Sequence, residues 1–346
     1  MALYNENFDN LKETFTILSI DGGGIRGLIP AKLLAGLETE LRKATGKQHL
    51  HEHFKLICGT STGAILAIGI ALGVPADKLV DFYKSNARII FPRWYLKILP
   101  RKARVLLSSI YSNKALRKKL KEIFTEANNG ETPLMHDLKT FACIPSFNGN
   151  LGETNVLKTK HHPEYYRDFM LPAHDVALAS ASAPVYFPPH SFSYDNKFGK
   201  GQLVNMIDGG IFANNPSLIG ILEAANKLDI PVDSIKVLSV GTGKGKHIIK
   251  KRWLPHNFFY WFVPKPRLLD IILDSQAQIT EQYVTFLERV LTQMGNSFKH
   301  LRVQHDFGGD AIDLNASRQR DLDRLEAIGG ELAKKEMSSI IKFLTT

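Results

Sequence analysis

A serine framed by two glycines is the residue of this chain with the clearest potential for chemistry. Ser61 lies in Gly59-Thr60-Ser61-Thr62-Gly63, between an apolar run at 54–58 and a second one at 64–72. A strand, a sharp turn and a helix in this order form a nucleophile elbow, which exposes the serine hydroxyl at the end of the strand. Glycines on both sides let the two elements approach closely. The motif alone leaves both a catalytic serine and a capped tight turn open.

A second glycine-rich turn follows the apolar run Phe15 to Ile20. It reads Asp21-Gly22-Gly23-Gly24-Ile25-Arg26-Gly27, and its spacing also satisfies the dinucleotide fingerprint Gly-x-Gly-x-x-Gly. That fingerprint needs an acidic residue at the end of the second strand, where this chain has the serine turn instead. Consecutive glycines free backbone amides to bind an oxyanion, and Gly23 and Gly24 are the candidate donors. Arg26 is a candidate either for binding an anionic head group or for bracing the fold.

A base for the serine is expected at Asp208, in Asp208-Gly209-Gly210, because Gln202 to Ile207 is typical of a strand that ends at this carboxylate. An ordinary Asp-Gly turn is the alternative. A carboxylate with its usual pKa near 3.9 is a weak base, so the bond to the serine must be short and well oriented. A Ser-Asp-His triad stays open on composition, but none of the late histidines follows a clear strand in a glycine-framed corner. These histidines are His247, His256, His300 and His305.

The three glycine-rich blocks, in this order, resemble the signature of the patatin-like phospholipase family. The segments 181–189 and 238–243 are similar to further recurring segments of that family, and the resemblance runs from about residue 15 to about 243. It implies a Ser-Asp dyad without histidine, with Ser61 as nucleophile and Asp208 as base. It also implies hydrolysis of fatty acyl esters of membrane phospholipids through an acyl-enzyme, with no metal or cofactor. The oxyanion hole is then Gly22, Gly23 and Gly24, and the remaining motif residues are Arg26, Gly27, Gly59, Gly63, Gly209 and Gly210.

The alternation of elements predicts the fold class. Strands expected at 15–20, 54–58, 203–207 and 235–240 alternate with helices at 28–43 and 64–72, which indicates a three-layer α/β fold with a mainly parallel sheet. We expect an N-terminal segment at 1–14, a patatin-like phospholipase domain at 15–243 and a helical C-terminal extension at 244–346 packed on the core. The extension is predicted to hold helices at 270–291 and 317–343, with Gly329-Gly330 as a break.

Charge and cysteine content bound the partners and the compartment. The 346 residues include 44 lysines and arginines against 34 aspartates and glutamates, a formal charge of +10. This favours an anionic membrane surface, since no motif for binding a nucleic acid polymer is present. Cys58 and Cys143 are too few for a disulfide framework, and residues 1–13 lack the apolar core of an export signal. We therefore expect a cytoplasmic protein that acts peripherally on the inner membrane.

Three stretches could contact a membrane. The segment that follows Ser112-Asn113, as far as Phe124, predicts an amphipathic helix with a basic face, for which a solvated surface helix is the alternative. Residues 91–102 and 250–262 combine aromatic and basic side chains, as at a head-group boundary. A lid over an acyl channel and the interface of a homo-oligomer fit the same patterns. The basic face of the predicted helix consists of Lys114, Arg117, Lys118 and Lys121.

The histidines at 49, 51 and 53 and the pair His161-His162 are expected in solvated loops rather than at a metal, because no acidic or cysteine partner completes a ligand set. The chain is also similar overall to bacterial patatin-like effectors of anti-phage signalling, which a cyclic oligonucleotide activates. That similarity implies a cyclic dinucleotide activator, for which Lys244, Lys246 and Arg252 are candidate ligands. Two other functions stay open: a serine esterase or thioesterase for soluble acyl substrates, and a basic membrane-binding module with an inert hydrolase site.

Overall fold

The computed structural model describes residues 14–92, 109–247, 249, 260–261 and 266–346. Residues 1–13 of the predicted N-terminal segment, most of both aromatic-basic stretches, His256 and Arg252 lie outside the described residues. The predictions made for them are not followed further.

One eight-stranded sheet organises the described chain, in the order β5-β6-β3-β2-β1-β7-β9, with β4 also paired to β3. The pairs joining β3, β2, β1, β7 and β9 are parallel, whereas β4, β5 and β6 add antiparallel pairs. A separate pair of short strands, β8 and β10, is also parallel. The strands are β1 Phe15–Ile20, β2 Leu56–Gly59, β3 Phe141–Asn148, β4 Glu153–Lys158, β5 His190–Asn196, β6 Gly199–Asp208, β7 Ile235–Val240, β8 Lys244–Gly245, β9 Lys299–Val303 and β10 Asp306–Gly308.

Helices cover both faces of the sheet, so the predicted three-layer α/β fold is confirmed. Every residue of β1 is buried, as expected for a central parallel strand. Its side chains alternate between two hydrophobic clusters, with Leu18 and Ile20 in one and Phe15 and Ile17 in the other. The helices are α1 Leu28–Thr45, α2 Thr62–Leu72, α3 Ala76–Ile90, α4 Lys114–Ala127, α5 Ala173–Ser180, α6 Gly210–Ala213, α7 Ser217–Lys227, α8 Arg267–Gln293 and α9 Gln319–Thr345.

The C-terminal region is more than a set of helices, because β9 extends the main sheet beside β7. Helix α9 runs without interruption through Gly329 and Gly330, so the predicted break is wrong. The reason is packing: a Cβ on Gly329 would lie 2.7 Å from the carbonyl oxygen of Ile29, so this glycine lets α9 approach α1. The domain boundary at 243 stays a prediction.

Helix α4 forms part of the fold rather than a free amphipathic surface. Its apolar side chains Leu116, Leu120 and Phe124 are buried in the larger cluster, so they are not available to insert into lipid. Arg117 forms two hydrogen bonds, of 2.6 and 2.8 Å, to the buried carboxylate of Asp175. The buried apolar face fits the alternative, a surface helix with a basic face, and contact of that basic face with a membrane stays a prediction.

Candidate active site

Ser61 occupies a strained turn between β2 and α2. Its φ of 55° and ψ of −119° place a non-glycine residue at positive φ, a conformation that proteins keep mainly at functional sites. The Ser61 amide donates a 2.9 Å hydrogen bond to Oγ of Ser180, whose hydroxyl donates in turn to the carbonyl of Pro145 at 2.6 Å. A Cβ on Gly59 would overlap the carbonyl oxygen of Gly63, so the two flanking glycines are required for the turn to close.

The first glycine-rich turn lies directly beside Ser61. A Cβ on Gly22 would come within 3.2 Å of Cβ of Ser61. The Gly22 amide already donates a 3.0 Å hydrogen bond to the Asn214 carbonyl, so it is not free to serve as the predicted oxyanion donor. The amides of Gly23 and Gly24 donate to no group in the described part of the chain. Those two amides therefore remain the candidate donors.

Asp208 reaches the same edge of the sheet on an antiparallel strand. In the pairing of β6 with β3, Asp208 lies opposite Ser146, three positions beyond the point where Cys143 pairs with Cys58 of β2. The longer β3 thus carries the carboxylate past the end of β2, to the level of the serine turn. The amide of Gly210 donates to Oδ1 of Asp208 at 2.7 Å.

Burial sets the acidity of Asp208. Its side chain is 1% exposed, and burial raises the pKa of the carboxyl to about 7, against the opposing effects of hydrogen bonds from the Ser61 side chain and the Gly210 amide. No histidine of the described residues contributes to this pKa. His247, one of the candidate triad members, instead pairs with Asp274 at 2.6 Å. The arrangement has the elements of a serine nucleophile with a carboxylate base poised near neutral pH.

Arg26 braces the fold. It is 5% exposed, its Nε donates to the Ile312 carbonyl at 2.6 Å, and its guanidinium lies 5.5 Å from the ring centre of Phe307. Of the two interpretations of Arg26, these contacts favour the brace over the head-group ligand. The other motif glycines also lie where a side chain would collide: Gly27 against Thr62, and Gly209 against the backbone of Pro145.

Asn214 is a polar residue of the site that the sequence reasoning missed. Its Oδ1 is buried and has no hydrogen-bond partner within the described ranges. A Cβ on Gly22 would overlap this oxygen, and one on Gly210 would lie 3.0 Å from it, so the amide side chain lies between two of the glycine-rich blocks. The available signal was its position six residues after Asp208, directly after the short helix that the third block opens.

The site is closed. Ser61 is only 8% exposed, and the cavity beside Gly22 and Gly23 measures about 10 Å³, room for at most one water. Helix α8 covers this cavity with Leu273 and Asp274, among others, and a Cβ on Gly210 would lie 2.5 Å from Cδ2 of Leu273. Within the described residues, Ser61 is thus almost closed off from solvent, and α8 forms one wall of the cavity beside the first glycine-rich turn.

An apolar cleft of about 440 Å³ lies beside the end of β6. It is lined by Ile207, which precedes Asp208, and by the segment 182–189, including Val185 and Phe187. Ser182 ties this segment to the site, because its carbonyl accepts a 3.1 Å hydrogen bond from the Asp208 amide. Val185 has a φ of 72°, a true outlier for a β-branched residue.

The histidines predicted in solvated loops lie elsewhere. His161 is buried and bonds to Glu223 at 2.9 Å, so its assignment to a solvated loop is wrong. Its ring nitrogen, the Cys143 sulfur and a Glu223 oxygen lie within 4.8 Å of one another, a set that could hold a metal. Burial raises the pKa of Glu223, but hydrogen bonds from His161, Lys158 and Tyr165 outweigh it and lower the pKa to about 2. The carboxylate is therefore ionised and already neutralised.

The other histidine group is also less exposed than predicted. Residues 50–53 form a short 3-10 helix, and the rings of His49 and His51 stack with their centres 5.4 Å apart. Burial lowers the pKa of His51 to about 4, so this side chain is neutral at physiological pH.

The candidate nucleotide ligands Lys244 and Lys246 lie on and next to β8, where both line a cleft outside the cover of the active site. Within the described residues, no helix is both long enough and apolar enough to cross a membrane.

Comparison with known proteins gives concordant results. A family model described as patatin-like phospholipase matches residues 18–220. A cGAMP-activated phospholipase of Vibrio cholerae is 31% identical, and the alignment covers 96% of this chain and 94% of the relative. A cGAMP-activated phospholipase of Escherichia coli is 34% identical, covering 94% and 91%. Patatin-like protein 2 of Arabidopsis thaliana is 32% identical, covering 94% and 84%.

Proposed function

The chain belongs to the patatin-like phospholipase family of lipid ester hydrolases, and from this premise we propose that it cleaves fatty acyl esters of membrane phospholipids at Ser61. One observation carries the assignment of residues. A serine held at positive φ lies beside a fully buried aspartate whose pKa is raised to about 7. A serine and a base within reach of each other are the minimum for acyl transfer by a covalent route.

Acylation begins when the Asp208 carboxylate takes the hydroxyl proton of Ser61 and Oγ attacks the ester carbonyl carbon. The carbonyl oxygen becomes an oxyanion, to which the amides of Gly23 and Gly24 donate hydrogen bonds. When the tetrahedral intermediate collapses, the bond to the alcohol oxygen breaks and Asp208 returns the proton to that oxygen. A lysophospholipid leaves, and the acyl group stays on Ser61.

Deacylation repeats these steps with water. The water oxygen attacks the acyl carbon while Asp208 takes a proton from the water. Asp208 then passes this proton to Oγ of Ser61 as the ester bond breaks. A free fatty acid leaves, and the dyad returns to its starting state. Since Asp208 acts as both base and acid, a pKa near the working pH suits it to both halves.

Two features support a lipid over a soluble acyl substrate. The apolar cleft of about 440 Å³ beside Ile207 gives an acyl chain a surface to lie on, close to the carboxylate. The formal charge of +10 favours binding to an anionic bilayer. We therefore place the reaction at the surface of a membrane, with the protein bound peripherally.

Activation by a cyclic dinucleotide is the second part of the proposal. Relatives from Vibrio cholerae and Escherichia coli that align with nearly the whole chain are named as cGAMP-activated phospholipases. The closed cavity of about 10 Å³ fits an enzyme that is inactive until a bound ligand opens the active site. On this basis we extend to this chain the role in anti-phage defence that its similarity to bacterial patatin-like effectors implies.

Mass spectrometry of bacterial total lipid extracts tests the proposed activity. Extracts are incubated with wild type, Ser61→Ala and Asp208→Asn, with cGAMP present, and the exposed Ser193→Ala serves as the matched serine control. Fatty acids and lysophospholipids should accumulate with wild type and Ser193→Ala and fall by about 10³-fold or more in the two site variants. Identical lipid profiles for all four proteins would refute the phospholipase activity.

Two further readings separate the alternatives if lipids stay intact. Hydrolysis of a soluble ester or thioester by wild type but not by Ser61→Ala would identify an esterase for soluble substrates. Failure of a fluorophosphonate probe to label Ser61 in wild type would identify an inert site.

A further inference from the structure

We propose that the cleft between β8 and helix α8 binds the phosphates and one base of a cyclic dinucleotide, and that α8 transmits this binding to the active site. This inference rests on the proposed function, because it names the site and the route of the activation proposed above. The cleft lies outside the catalytic cavity and measures about 560 Å³, within the usual range for small-molecule sites.

The cleft offers both charge and an aromatic surface. Lys244 and Lys246 line one wall, and Arg289 lines the other, on α8. Phe286, one turn before Arg289, is 57% exposed, and the guanidinium lies 5.6 Å from the centre of its ring. Cationic side chains bind phosphodiesters, and an exposed phenylalanine beside an arginine gives a purine a surface to stack on. Gln282, on the same helix, adds donor and acceptor groups for a base edge.

Two carboxylates also line the cleft, and both have cationic partners. Asp306 lies 3.7 Å from Nζ of Lys244, across the β8–β10 pair, and Glu281 lies 3.7 Å from Nε of Arg302. A phosphate in the cleft would compete with Asp306 for Lys244, which lines the cleft, and would repel the nearby carboxylate of Glu281. Binding therefore exchanges internal ion pairs for bonds to the ligand, which allows it to change the structure and not merely fill a space.

The first link to the active site is Asp274, which belongs to the cover and is hydrogen-bonded to Gly245 and His247. Its Oδ2 accepts a 2.6 Å bond from Nε2 of His247 and a longer one, 3.4 Å, from the amide of Gly245. The same side chain lines the closed cavity beside Gly22 and Gly23. Gly245 and His247 thus hold α8 in the position that closes the site.

The second link is an ion-pair chain that starts at Glu281. Arg302, which contacts Glu281, donates to the buried carboxylate of Asp21 at 2.9 and 2.5 Å and to Oγ of Ser239 at 2.7 Å. Asp21 immediately precedes the glycine-rich turn. A ligand that draws Glu281 or β8 away from these partners therefore acts on the cover and on the oxyanion donors together.

Binding and site opening are measured separately on the full chain. Calorimetry with cGAMP gives the affinity, and the rate at which a fluorophosphonate labels Ser61 reports opening independently of any lipid substrate. Phe286→Ala and Arg289→Ala should each weaken cGAMP binding by about tenfold or more, a loss of about 1.4 kcal/mol. The matched controls are Tyr283→Ala, an exposed aromatic on the same helix that does not line the cleft, and Arg320→Ala, an exposed arginine on α9.

The coupling between the cleft and the active site is tested by removing the contact between His247 and Asp274. His247→Ala removes the contact that holds Asp274, so it should raise the labelling rate of Ser61 several-fold without ligand and reduce the further increase on adding cGAMP. Thermal unfolding without ligand identifies any variant that does not fold, and Lys246→Gln then takes its place in the binding series.

The outcomes distinguish this inference from the function on which it rests. Affinity equal to wild type in Phe286→Ala, Arg289→Ala and Lys246→Gln, or no cGAMP binding at all, would overturn the site. Faster labelling with phosphatidylglycerol vesicles alone, unaffected by Phe286→Ala but lost in Arg289→Ala, would assign the cleft to a lipid head group and overturn the nucleotide site. The same result with inorganic phosphate would assign the cleft to a free phosphate and overturn the nucleotide site as well. If cGAMP binds and speeds labelling but lipids stay intact, the site stands and the phospholipase assignment fails.

Discussion

Asp208 illustrates how the fold changes the chemistry of one residue. A solvent-exposed aspartate has a low pKa, so its carboxylate is too weak a base to take a proton from serine efficiently. Complete burial at the end of β6 raises the pKa of this carboxyl to about 7. The base must be ionised to act. In the proposed mechanism, the pKa of Asp208 therefore sets the pH dependence of catalysis. Ionisation of this buried carboxyl also lowers the stability of the folded protein.

The first prediction concerns activity against pH. Hydrolysis of a soluble chromogenic ester should rise about tenfold per pH unit below pH 7 and level off above it, because only the ionised Asp208 accepts the Ser61 proton. A soluble substrate avoids effects of pH on vesicles. A saturating concentration of cGAMP keeps the site open at every pH. A profile that is flat between pH 5 and 8 would contradict the assigned base.

The second prediction concerns stability. A carboxyl whose pKa is raised on folding favours the folded state below its usual pKa of 3.8 and loses that contribution as pH rises toward 7. Asp208→Asn carries no such charge, so its stability advantage over wild type should grow between pH 4 and 7, to at most about 4 kcal/mol. Denaturant unfolding at several pH values measures this difference. A difference that does not change with pH would mean that Asp208 titrates normally in the fold.

The residues that sequence patterns could identify are those fixed by local geometry. Ser61 follows β2, Asp208 is the last residue of β6, and a glycine comes shortly after each, as the sequence predicts. The missed features depend on long-range packing. The Gly22 amide is occupied by the carbonyl of Asn214, and His161 is buried against Glu223, 62 positions away along the chain. Neither pairing has a local signal.

At the scale of elements, α8 was predicted only as a helix of the extension, with bounds at 270–291 close to the observed Arg267–Gln293. Its position over the glycine-rich turns could not be predicted, because Leu273 and Asp274 contact residues that are far from them in the sequence. Strand β9 was missed because Lys299–Val303 is short and only Val303 is fully buried. A central strand such as β1, buried throughout, gives a much stronger pattern.

The third prediction uses two adjacent glycines of α9 as a matched pair. Gly329→Ala should destabilise the protein, because the new Cβ would meet the Ile29 carbonyl of α1 at 2.7 Å. Gly330 has open space at the same point, so Gly330→Ala should stabilise by about 1 kcal/mol through helix propensity alone. Denaturant unfolding of both variants measures the two signs. Stabilisation by both substitutions would show that α9 does not pack closely on α1.

At the scale of the whole molecule, the family model and the fold end at different places. The model stops at residue 220, whereas β9 extends the sheet, α9 packs on α1, and Arg302 forms a buried ion pair with Asp21. The edge of the sheet that carries Ser61 and the C-terminal region therefore share one structure, as the proposed action of a ligand near α8 on Ser61 requires.

The fourth prediction follows from this shared structure. A fragment ending at residue 243 would leave the edge of β7 unpaired and α1 uncovered, so it should be insoluble or lack a cooperative unfolding transition. Arg302→Leu in the full chain isolates one contribution, because it leaves the buried Asp21 without its partner and should cost about 3–5 kcal/mol. A fragment 15–243 that unfolds cooperatively would establish an independent domain and contradict this view.

The most direct test of the central claim is to trap the acyl-enzyme. Wild type with cGAMP is mixed with phospholipid vesicles, quenched in acid within the first turnover, and analysed by intact-protein and peptide mass spectrometry. The account predicts a mass increase of one fatty acyl group on the peptide that contains Ser61, absent from Ser61→Ala and retained in Ser193→Ala. An acyl group on any other residue, or phospholipid hydrolysis that persists in Ser61→Ala, would contradict it.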